Sequence, residues 1–236
     1  MQNYINTNYS GLEELLSAEK YRESYNDFIV QSCFYKVKNP KVIVDFGAGI
    51  GTLSEIIKTK FGVSPVCVEI DKENITYLDN RKLQNLNSIN DIKTNIDLIF
   101  SSNVLELIED DLSVFESFKS KLNDDGYLYL YLPANMILWT QVDESVGHFR
   151  RYSRSEIKQK LLATGFEIKS IYFADSIGYL AILLLKLIRY NTNNIIESSS
   201  SLKFYDKYVF PLSKFLDGIG VKFLFGKNLV ILAKKK

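Results

Sequence analysis

A short apolar strand, a glycine-rich turn and an amphipathic helix follow one another between residues 42 and 61, and this succession constrains the fold more than any other part of the chain. Residues 42–46 are mostly β-branched or apolar, which is typical of a strand buried on both faces. Glycines then occupy alternate positions, and the apolar residues after them have the spacing of one helix face: Gly47, Gly49, Gly51, then Leu53, Ile56, Ile57 and Phe61. Such a turn needs backbone angles that favour glycine, and it presents backbone N–H groups to a ligand at the start of a helix.

Two acidic residues accompany the turn. Asp45 lies two residues before the first glycine, and Glu69 ends the next apolar run, eighteen residues after Gly51. A carboxylate at the end of a second strand can accept hydrogen bonds from both hydroxyls of a ribose that lies across the strand tips. The spacing G-x-G-x-G departs from the G-x-G-x-x-G pattern of dinucleotide-binding proteins. We therefore expect a nucleoside cofactor here, with a nicotinamide-dependent dehydrogenase as an alternative.

These residues resemble the first motif and the ribose-binding acid of the class I S-adenosylmethionine (SAM)-dependent methyltransferases. The resemblance implies SAM as the cofactor and S-adenosyl-L-homocysteine as its product. It assigns to cofactor binding Asp45, Gly47, Ala48, Gly49, Gly51, Glu69 and Ile70. Asp45 is expected to organise the turn, and Glu69 to anchor the ribose.

The resemblance continues in residues 97–111, which read DLIFSSNVLELIEDD. This segment is similar to the fourth-strand motif of a bacterial group of methyltransferases, in which the residues after the strand line the cofactor. It adds Ser102, Asn103 and Val104 to the expected cofactor contacts. Leu107 stands where a histidine is frequent in that group, so no role is carried over to it.

A second group of polar and aromatic residues lies between residues 133 and 153 and contains the only tryptophan and the only histidine of the chain. Its pattern, D-x-x-x-G-H-x-R-R-Y, is similar to a segment found in many members of the same methyltransferase group. We expect it to bind the substrate through Asn135, Trp139, Asp143, Arg150 and Arg151, with His148 and Tyr152 as catalytic candidates.

Each of these candidates has a structural alternative. His148 can accept a proton from the methyl acceptor, or it can simply hold a loop together. The two arginines can clamp a carboxylate or phosphate, but adjacent residues point in different directions, so one of them is expected to pair with an acid such as Asp143 or Glu144. Tyr152 is expected in a pocket wall or bonded to the substrate through its hydroxyl.

Composition excludes several functional classes. A net charge of +1 provides no field to attract nucleic acid, and one histidine with no Cys/His cluster makes a zinc site improbable. Cys33 and Cys67 lie far apart in apolar surroundings and are interpreted as buried reduced thiols of a cytoplasmic protein. The N-terminus shows no basic region followed by an apolar stretch, so no secretory signal is expected.

Strands and helices alternate along the chain, which predicts an α/β fold with a doubly wound, mostly parallel sheet. The resemblance implies seven strands, the last one antiparallel and inserted near the sheet edge. We expect one methyltransferase domain over residues 1–236, with a helical cap at 1–38, a cofactor-binding half at 40–135 and a substrate-binding half at 136–236. The cap, which starts at a capping box formed by Ser10 and Glu13, packs over the cofactor cleft or covers a sheet edge.

The C-terminal third contains two apolar helical stretches, 176–190 and 202–218. The first is shorter than the ~20 residues that cross a bilayer, so it is interpreted as a lid, a core helix or an interfacial helix that makes peripheral contact with a membrane. The serine-rich residues 191–201 predict a mobile linker, and Pro211 is expected to break the second helix.

The leading hypothesis is therefore a SAM-dependent methyltransferase, a transferase that moves a methyl group to an O, N or C nucleophile. The acceptor is expected to be a small molecule or a carrier-linked saccharide or lipid. The alternatives are a catalytically silent methyltransferase-like binding module and, less favoured, the dehydrogenase. The sequence leaves the oligomeric state open.

Overall fold

The computed structural model describes residues 11–188 and 199–236, and its centre is a seven-stranded sheet in the order β3-β2-β1-β4-β5-β7-β6. Strands β1 to β5 are parallel along this order, whereas β7 runs antiparallel to both β5 and β6. The strands are β1 (Ile43–Phe46), β2 (Val66–Val68), β3 (Asn85–Leu86), β4 (Ile96–Ser102), β5 (Leu122–Pro133), β6 (Phe166–Ala174) and β7 (Asn228–Lys235). The doubly wound, mostly parallel sheet with an inserted antiparallel strand is confirmed.

Helices cover both faces of the sheet. The α-helices are α1 (Leu12–Tyr21), α2 (Glu23–Phe34), α3 (Thr52–Phe61), α4 (Lys72–Asn80), α5 (Asp111–Lys121), α6 (Gln141–Ser145), α7 (Arg154–Ala163), α8 (Ser176–Leu187), α9 (Ser199–Phe204) and α10 (Phe210–Gly218). Short 3₁₀ turns lie at Ile89–Asp91, Leu105–Leu107, Met136–Leu138 and Val221–Phe223.

The strands bury side chains on both faces because successive residues of a strand point in opposite directions. In β1, Val44 belongs to a core with Phe115 and Phe118 of α5, whereas the preceding Ile43 belongs to a core with α2 and α3 on the other face. This two-sided burial explains why the central strands read as continuous apolar runs. It also fixes the strand tips, where the polar residues of interest lie.

Several predicted boundaries are confirmed. Ser153 caps α7, and its hydroxyl accepts a hydrogen bond from the Glu156 N–H at 3.1 Å. The weak strand at residue 85 is only two residues long. Ser10 lies outside the described residues, so its predicted capping box is not described; α1 starts after Gly11, whose φ is 64°.

Two predictions for the C-terminal third are wrong. Pro211 does not break a helix: helical structure continues from α9 through a π-helical turn (Tyr205–Val209) into α10, with the proline as the second residue of α10. The last serines of the predicted linker, Ser199 to Ser201, lie in α9, which packs against α1. Residues 191–198 lie outside the described part. None of the described helices is long and apolar enough to cross a membrane.

Candidate active site at the carboxyl ends of the strands

The residues singled out in the sequence collect where β1, β2, β4 and β5 end. Residues with positive φ follow three of these strands: Gly47 after β1 (φ 74°), Asn103 after β4 (φ 54°) and Asn135 after β5 (φ 60°). Asparagine tolerates this conformation better than most residues, but it remains sparsely populated and occurs preferentially at functional sites. These positions make the carboxyl edge of the sheet a candidate binding site.

The glycine turn is tied to the neighbouring strand through its own backbone. The N–H groups of Gly47 and Ala48 donate to the Val68 carbonyl at 2.8 and 3.2 Å. All three glycines have positive φ, with Gly51 at 85° immediately before α3. The expectation that this turn requires glycine conformations is confirmed.

Glu69 closes the turn from the side of β2. One carboxylate oxygen accepts a hydrogen bond from the Gly49 N–H at 2.7 Å, and the other accepts from the N–H groups of Ile70 and Asp71 at 2.8 and 2.9 Å. The carboxylate thus lies at the strand tips, where the side chain is buried and bonded to backbone N–H groups. Ile70, the next residue, is 55% exposed, which is unusual for an isoleucine beside a strand tip.

Asp45, in β1 just before the glycine turn, links this strand to α3. It is buried, and it accepts a hydrogen bond from the Ser54 hydroxyl of α3 at 2.7 Å. Burial raises the pKa of its carboxyl group to about 7, with a smaller contribution from the nearby Glu69 charge. This arrangement supports an organising role for Asp45 inside the turn.

Two apolar side chains lie over the turn. A Cβ atom on Gly47 would overlap the side chain of Val104, and one on Gly49 would meet Leu15 of α1 at 3.1 Å. Helix α1 is fixed there by Glu19, which accepts two hydrogen bonds from Arg81 at 2.7 and 2.8 Å. Of the two placements expected for the N-terminal helices, α1 thus adopts the one over the turn.

The loop between β5 and α7 returns to the strand from which it starts. The Asn135 N–H donates to the Tyr152 carbonyl at 3.0 Å, and the Tyr152 N–H donates to the Pro133 carbonyl at 2.9 Å. Residues 135–152 therefore form a closed loop beside the end of β4, and the Phe149 N–H donates to the Glu106 carbonyl at 2.8 Å.

Asp143 is the centre of this loop. It accepts hydrogen bonds from the backbone and side chain of Thr140, from Arg151 through two nitrogens at 2.8 and 3.0 Å, and from His148 Nδ1 at 2.9 Å. Although burial disfavours its charge, these bonds from His148 and Arg151 hold the pKa of Asp143 well below its usual range. An ionised carboxylate only accepts, so Nδ1 of neutral His148 carries the proton and Nε2 carries the free lone pair.

Glu106 lies opposite His148 and was not among the residues singled out in the sequence. Its side chain is fully buried, and neither carboxylate oxygen has a hydrogen-bond partner among the described residues. Burial raises its pKa to about 8. His148 Nε2 lies 4.0 Å from Glu106 Oε1, too far for a direct hydrogen bond. Arg151 Nη1 is also buried and without a partner in the described chain.

The remaining candidates of this loop bond to protein groups. Arg150 contacts Asp111 at 3.0 Å and donates to the Glu109 carbonyl. Tyr152 is fully buried, and its hydroxyl bonds to Asp111 at 2.8 Å and to the Leu105 carbonyl at 3.1 Å. The Trp139 ring N–H donates to Glu144 at 3.1 Å.

The structure thus divides the predicted residues into two neighbouring groups. The glycine turn, Glu69 and Val104 form one; His148, Asp143 and Arg151 form the other, together with Glu106. A sequence signal for Glu106 does exist, because an acid inside the apolar run VLELI is unusual, but the run gives no sign that the acid points inward. Two cavities of about 560 and 760 Å³ lie at the opposite, amino ends of the strands and contain none of these residues.

The sequence matches one family of known proteins. Residues 18–171, more than half of the chain, match the model of a family described as a methyltransferase domain. No curated protein matches the chain in sequence.

Solved structures resemble the chain over nearly its whole length. A SAM-dependent methyltransferase from Archaeoglobus fulgidus has a TM-score of 0.63 and 17% identity, with 94% of this chain and 99% of that chain covered. A chain of the complex between the Haloferax volcanii Trm112 methyltransferase activator and a putative methyltransferase has a TM-score of 0.64 and 11% identity, over 95% and 93%. The magnesium protoporphyrin IX methyltransferase of Synechocystis PCC 6803, solved with bound S-adenosylhomocysteine, has a TM-score of 0.57 and 11% identity, over 94% and 84%. At these identities the likeness establishes the fold.

Proposed function

We propose, from the premise that the chain belongs to the methyltransferase domain family, that it transfers the methyl group of SAM to an O, N or C nucleophile. The acceptor is a small molecule or a carrier-linked saccharide or lipid. The observation that carries the proposal is the 2.7 Å hydrogen bond from the Gly49 N–H to Glu69, which joins an acid at the end of β2 to the glycine turn at the end of β1.

The residues at this edge fit the nucleoside part of the cofactor. A carboxylate has about four acceptor positions, and three of those of Glu69 are used by backbone N–H groups. One ribose hydroxyl can therefore be bound without displacing any of them, and a second by sharing the position used by Gly49. The exposed side chain of Ile70 offers an apolar surface to a base. Ser102 and Asn103, at the end of β4 on the other side of the glycine turn, supply further polar groups.

The methionine part of the cofactor would lie at the glycine turn. Val104 packs directly over Gly47 and forms a wall, whereas Leu15 covers Gly49. A ligand that contacts the backbone at Gly49 must displace the Leu15 side chain, so α1 acts as a cover whose position depends on the Glu19–Arg81 pair. When bound, SAM supplies a sulfonium-activated methyl group, and the chain contributes by orienting the reactants and excluding water.

On the acceptor side we assign proton transfer to His148. Its side chain is 17% exposed, and Nε2 is its uncommitted nitrogen because Nδ1 bonds to Asp143. Asp143 orients the ring, and Arg151 fixes Asp143, so these two are positioning residues. Glu106, with its raised pKa, keeps its proton at neutral pH and leaves His148 free to accept one from the acceptor.

Asn135 and Trp139 remain proposed contacts of the acceptor, since both are partly exposed at the mouth of this loop. Arg150 and Tyr152 are bonded to Asp111 and take structural roles in this proposal. The two buried free thiols, Cys33 and Cys67, fit a reducing compartment, so we propose the cytoplasm as the location.

Calorimetry tests the proposal. SAM and S-adenosylhomocysteine are expected to bind at sub-millimolar concentration, whereas NADH produces no change in fluorescence. NADH binding without SAM binding would favour the dehydrogenase. No binding of either nucleotide would favour the silent binding module.

The role of His148 has a test that needs no acceptor. Because the chain has one histidine, its ring nitrogens give unique ¹⁵N NMR signals. The neutral ring is expected in the Nδ1–H form, and Asp143→Asn is expected to change the tautomer balance. A neutral ring protonated at Nε2 would contradict the assignment of His148 as the proton acceptor.

A further inference from the structure

The helical segment from α9 to α10 is apolar on its exposed side as well as on part of its buried side, and it buries three polar residues. Its buried face carries Asp206, Phe210, Ser213 and Asp217. Its outer face carries five large apolar residues, each more than half exposed: Phe204, Tyr208, Leu212, Phe215 and Ile219. We call this set the outer face. An amphipathic helix of a globular protein normally exposes polar residues on this side instead.

Hydrogen bonds fix the rotation of this segment. Asp206 accepts from the N–H groups of Ser24 and Tyr25 at 2.8 and 2.9 Å. Ser213 accepts from the Ile177 N–H at 3.0 Å, and Asp217 accepts from the Asp175 N–H at 2.8 Å. Turning the outer face inward would break all of these bonds. The hydrogen bonds of the buried side therefore keep the apolar residues of the outer face exposed.

Helix α8 exposes apolar residues of its own and connects α10 to the loop of the candidate active site. Its exposed residues Leu180, Leu184 and Leu187 have helical spacing, and its first turn packs on α10 through the Ile177–Ser213 bond. Near its other end, Lys186 donates to the carbonyls of Ile137 and Trp139 in the loop after β5. Helix α8, the described part of the segment 176–190 that was expected to be a lid, a core helix or a membrane contact, thus contacts both α10 and the loop of the candidate site.

The exposed charged side chains of the α9–α10 segment are all positive. Lys203, Lys207 and Lys214 are exposed, and none of them pairs with a carboxylate within the described chain. The acids between residues 199 and 224 are Asp206 and Asp217, and both are buried. A two-fold dimer through this surface would place lysines against lysines, whereas an anionic surface would neutralise them.

We propose that the outer face docks peripherally on an anionic lipid bilayer. Aromatic and aliphatic side chains enter the boundary between headgroups and acyl chains, and the lysines lie at the level of the phosphates, as in amphipathic interfacial helices. Because α8 joins this face to the loop after β5, docking brings the candidate active site to the membrane. The acceptor is then lipid-borne; this step rests on the proposed function, whereas the docking itself does not.

Vesicle co-sedimentation tests the docking. The full chain is expected to bind vesicles of equal parts phosphatidylglycerol and phosphatidylcholine, to bind pure phosphatidylcholine much more weakly, and to be released by salt. Phe215→Glu, at an exposed position, is expected to weaken binding roughly tenfold or more. The double variant Lys207→Gln/Lys214→Gln is expected to weaken it roughly 25-fold, at about fivefold per lysine.

Leu162→Glu is the matched control, because Leu162 is 49% exposed on α7, outside the outer face, and its substitution is expected to leave vesicle binding unchanged. No binding to anionic vesicles, or an equal loss in the control, would overturn the proposal. A dimer in ultracentrifugation that Phe215→Glu dissociates would overturn it in favour of a second copy. Calorimetry with SAM in the absence of vesicles separates a failure of docking from a failure of the methyltransferase assignment.

Discussion

The glycine turn and the loop after β5 lie at the same edge of the sheet but satisfy their polar groups differently. In the turn, the N–H groups of Gly47 and Gly49 and the Glu69 carboxylate are bonded to one another or to β2. At the loop, one nitrogen of Arg151 is buried without a partner in the described chain, and so are both oxygens of Glu106, which faces the loop from the 3₁₀ turn after β4.

The glycine turn is therefore preformed, whereas the region around Glu106 and Arg151 holds buried polar groups that destabilise the folded state. A turn whose hydrogen bonds are complete can bind a cofactor without reorganising, apart from the Leu15 side chain above it. A buried, unpartnered acid next to a histidine lowers stability, and such groups are retained where chemistry needs them. We therefore expect substitutions of Asp143 and Glu106 to affect stability and its pH dependence, and substitution of Glu69 to affect cofactor binding.

Removing the central acid of the loop should have the largest effect. Asp143→Ala leaves Arg151 buried without its partner, and breaking a buried pair in this way costs ~3–5 kcal/mol of unfolding free energy. Urea denaturation measures the loss. Glu144→Ala, one residue away and exposed, is the matched control, with an expected change within ~0.5 kcal/mol. Equal stability of the two variants would show that the Arg151–Asp143 pair does not anchor the loop.

The stability of the glycine turn should depend on the absence of a side chain at Gly47. Gly47→Ala is expected to lower the unfolding free energy by ~2–4 kcal/mol, because a left-handed residue gains a side chain that overlaps Val104. Gly62 also has positive φ but nothing near its Cβ position, so Gly62→Ala isolates the backbone contribution, ~1 kcal/mol. If both variants lose the same amount in urea denaturation, Val104 is not packed over the turn.

Glu106→Gln should stabilise the protein at neutral pH. The pKa of Glu106 is raised from 4.5 to about 8, so the folded state holds a proton that the unfolded chain has released. The unfolding free energy of the wild type therefore falls as pH rises from about 4.5 to 8. Glutamine removes this contribution, with a gain of ~3.5 kcal/mol at pH 7 from ~1.4 kcal/mol per pKa unit. Thermal melts from pH 4.5 to 8 check it; parallel curves for both proteins would contradict the buried, protonated state.

The parts of the molecule that follow from local patterns could be predicted. The strand, turn and first helix read directly from residues 42–61, and the alternation of elements predicts the parallel sheet. Contacts between distant segments could not. Glu106 lies in a run whose spacing does not reveal which side chains point inward, and only the fold brings it near His148.

The errors in the C-terminal third have the same origin. Serines favour loops by local propensity, but packing of α9 against α1 overrides that preference at Ser199 to Ser201. Pro211 was expected to interrupt a helix, and the π-helical turn before it allows the helix to continue. The exposure of the apolar outer face could not be predicted either, because the sequence does not show that Asp206 and Asp217 point inward.

The central claim is that Glu69 at the end of β2 binds the cofactor together with the glycine turn. Calorimetry of SAM with Glu69→Ala, using Glu73→Ala on the exposed first turn of α4 as the control, tests it most directly. The account predicts a loss of ~1.5–3 kcal/mol, or roughly 10- to 150-fold in affinity, for Glu69→Ala and no change for the control. An unchanged affinity in a folded Glu69→Ala protein would contradict it.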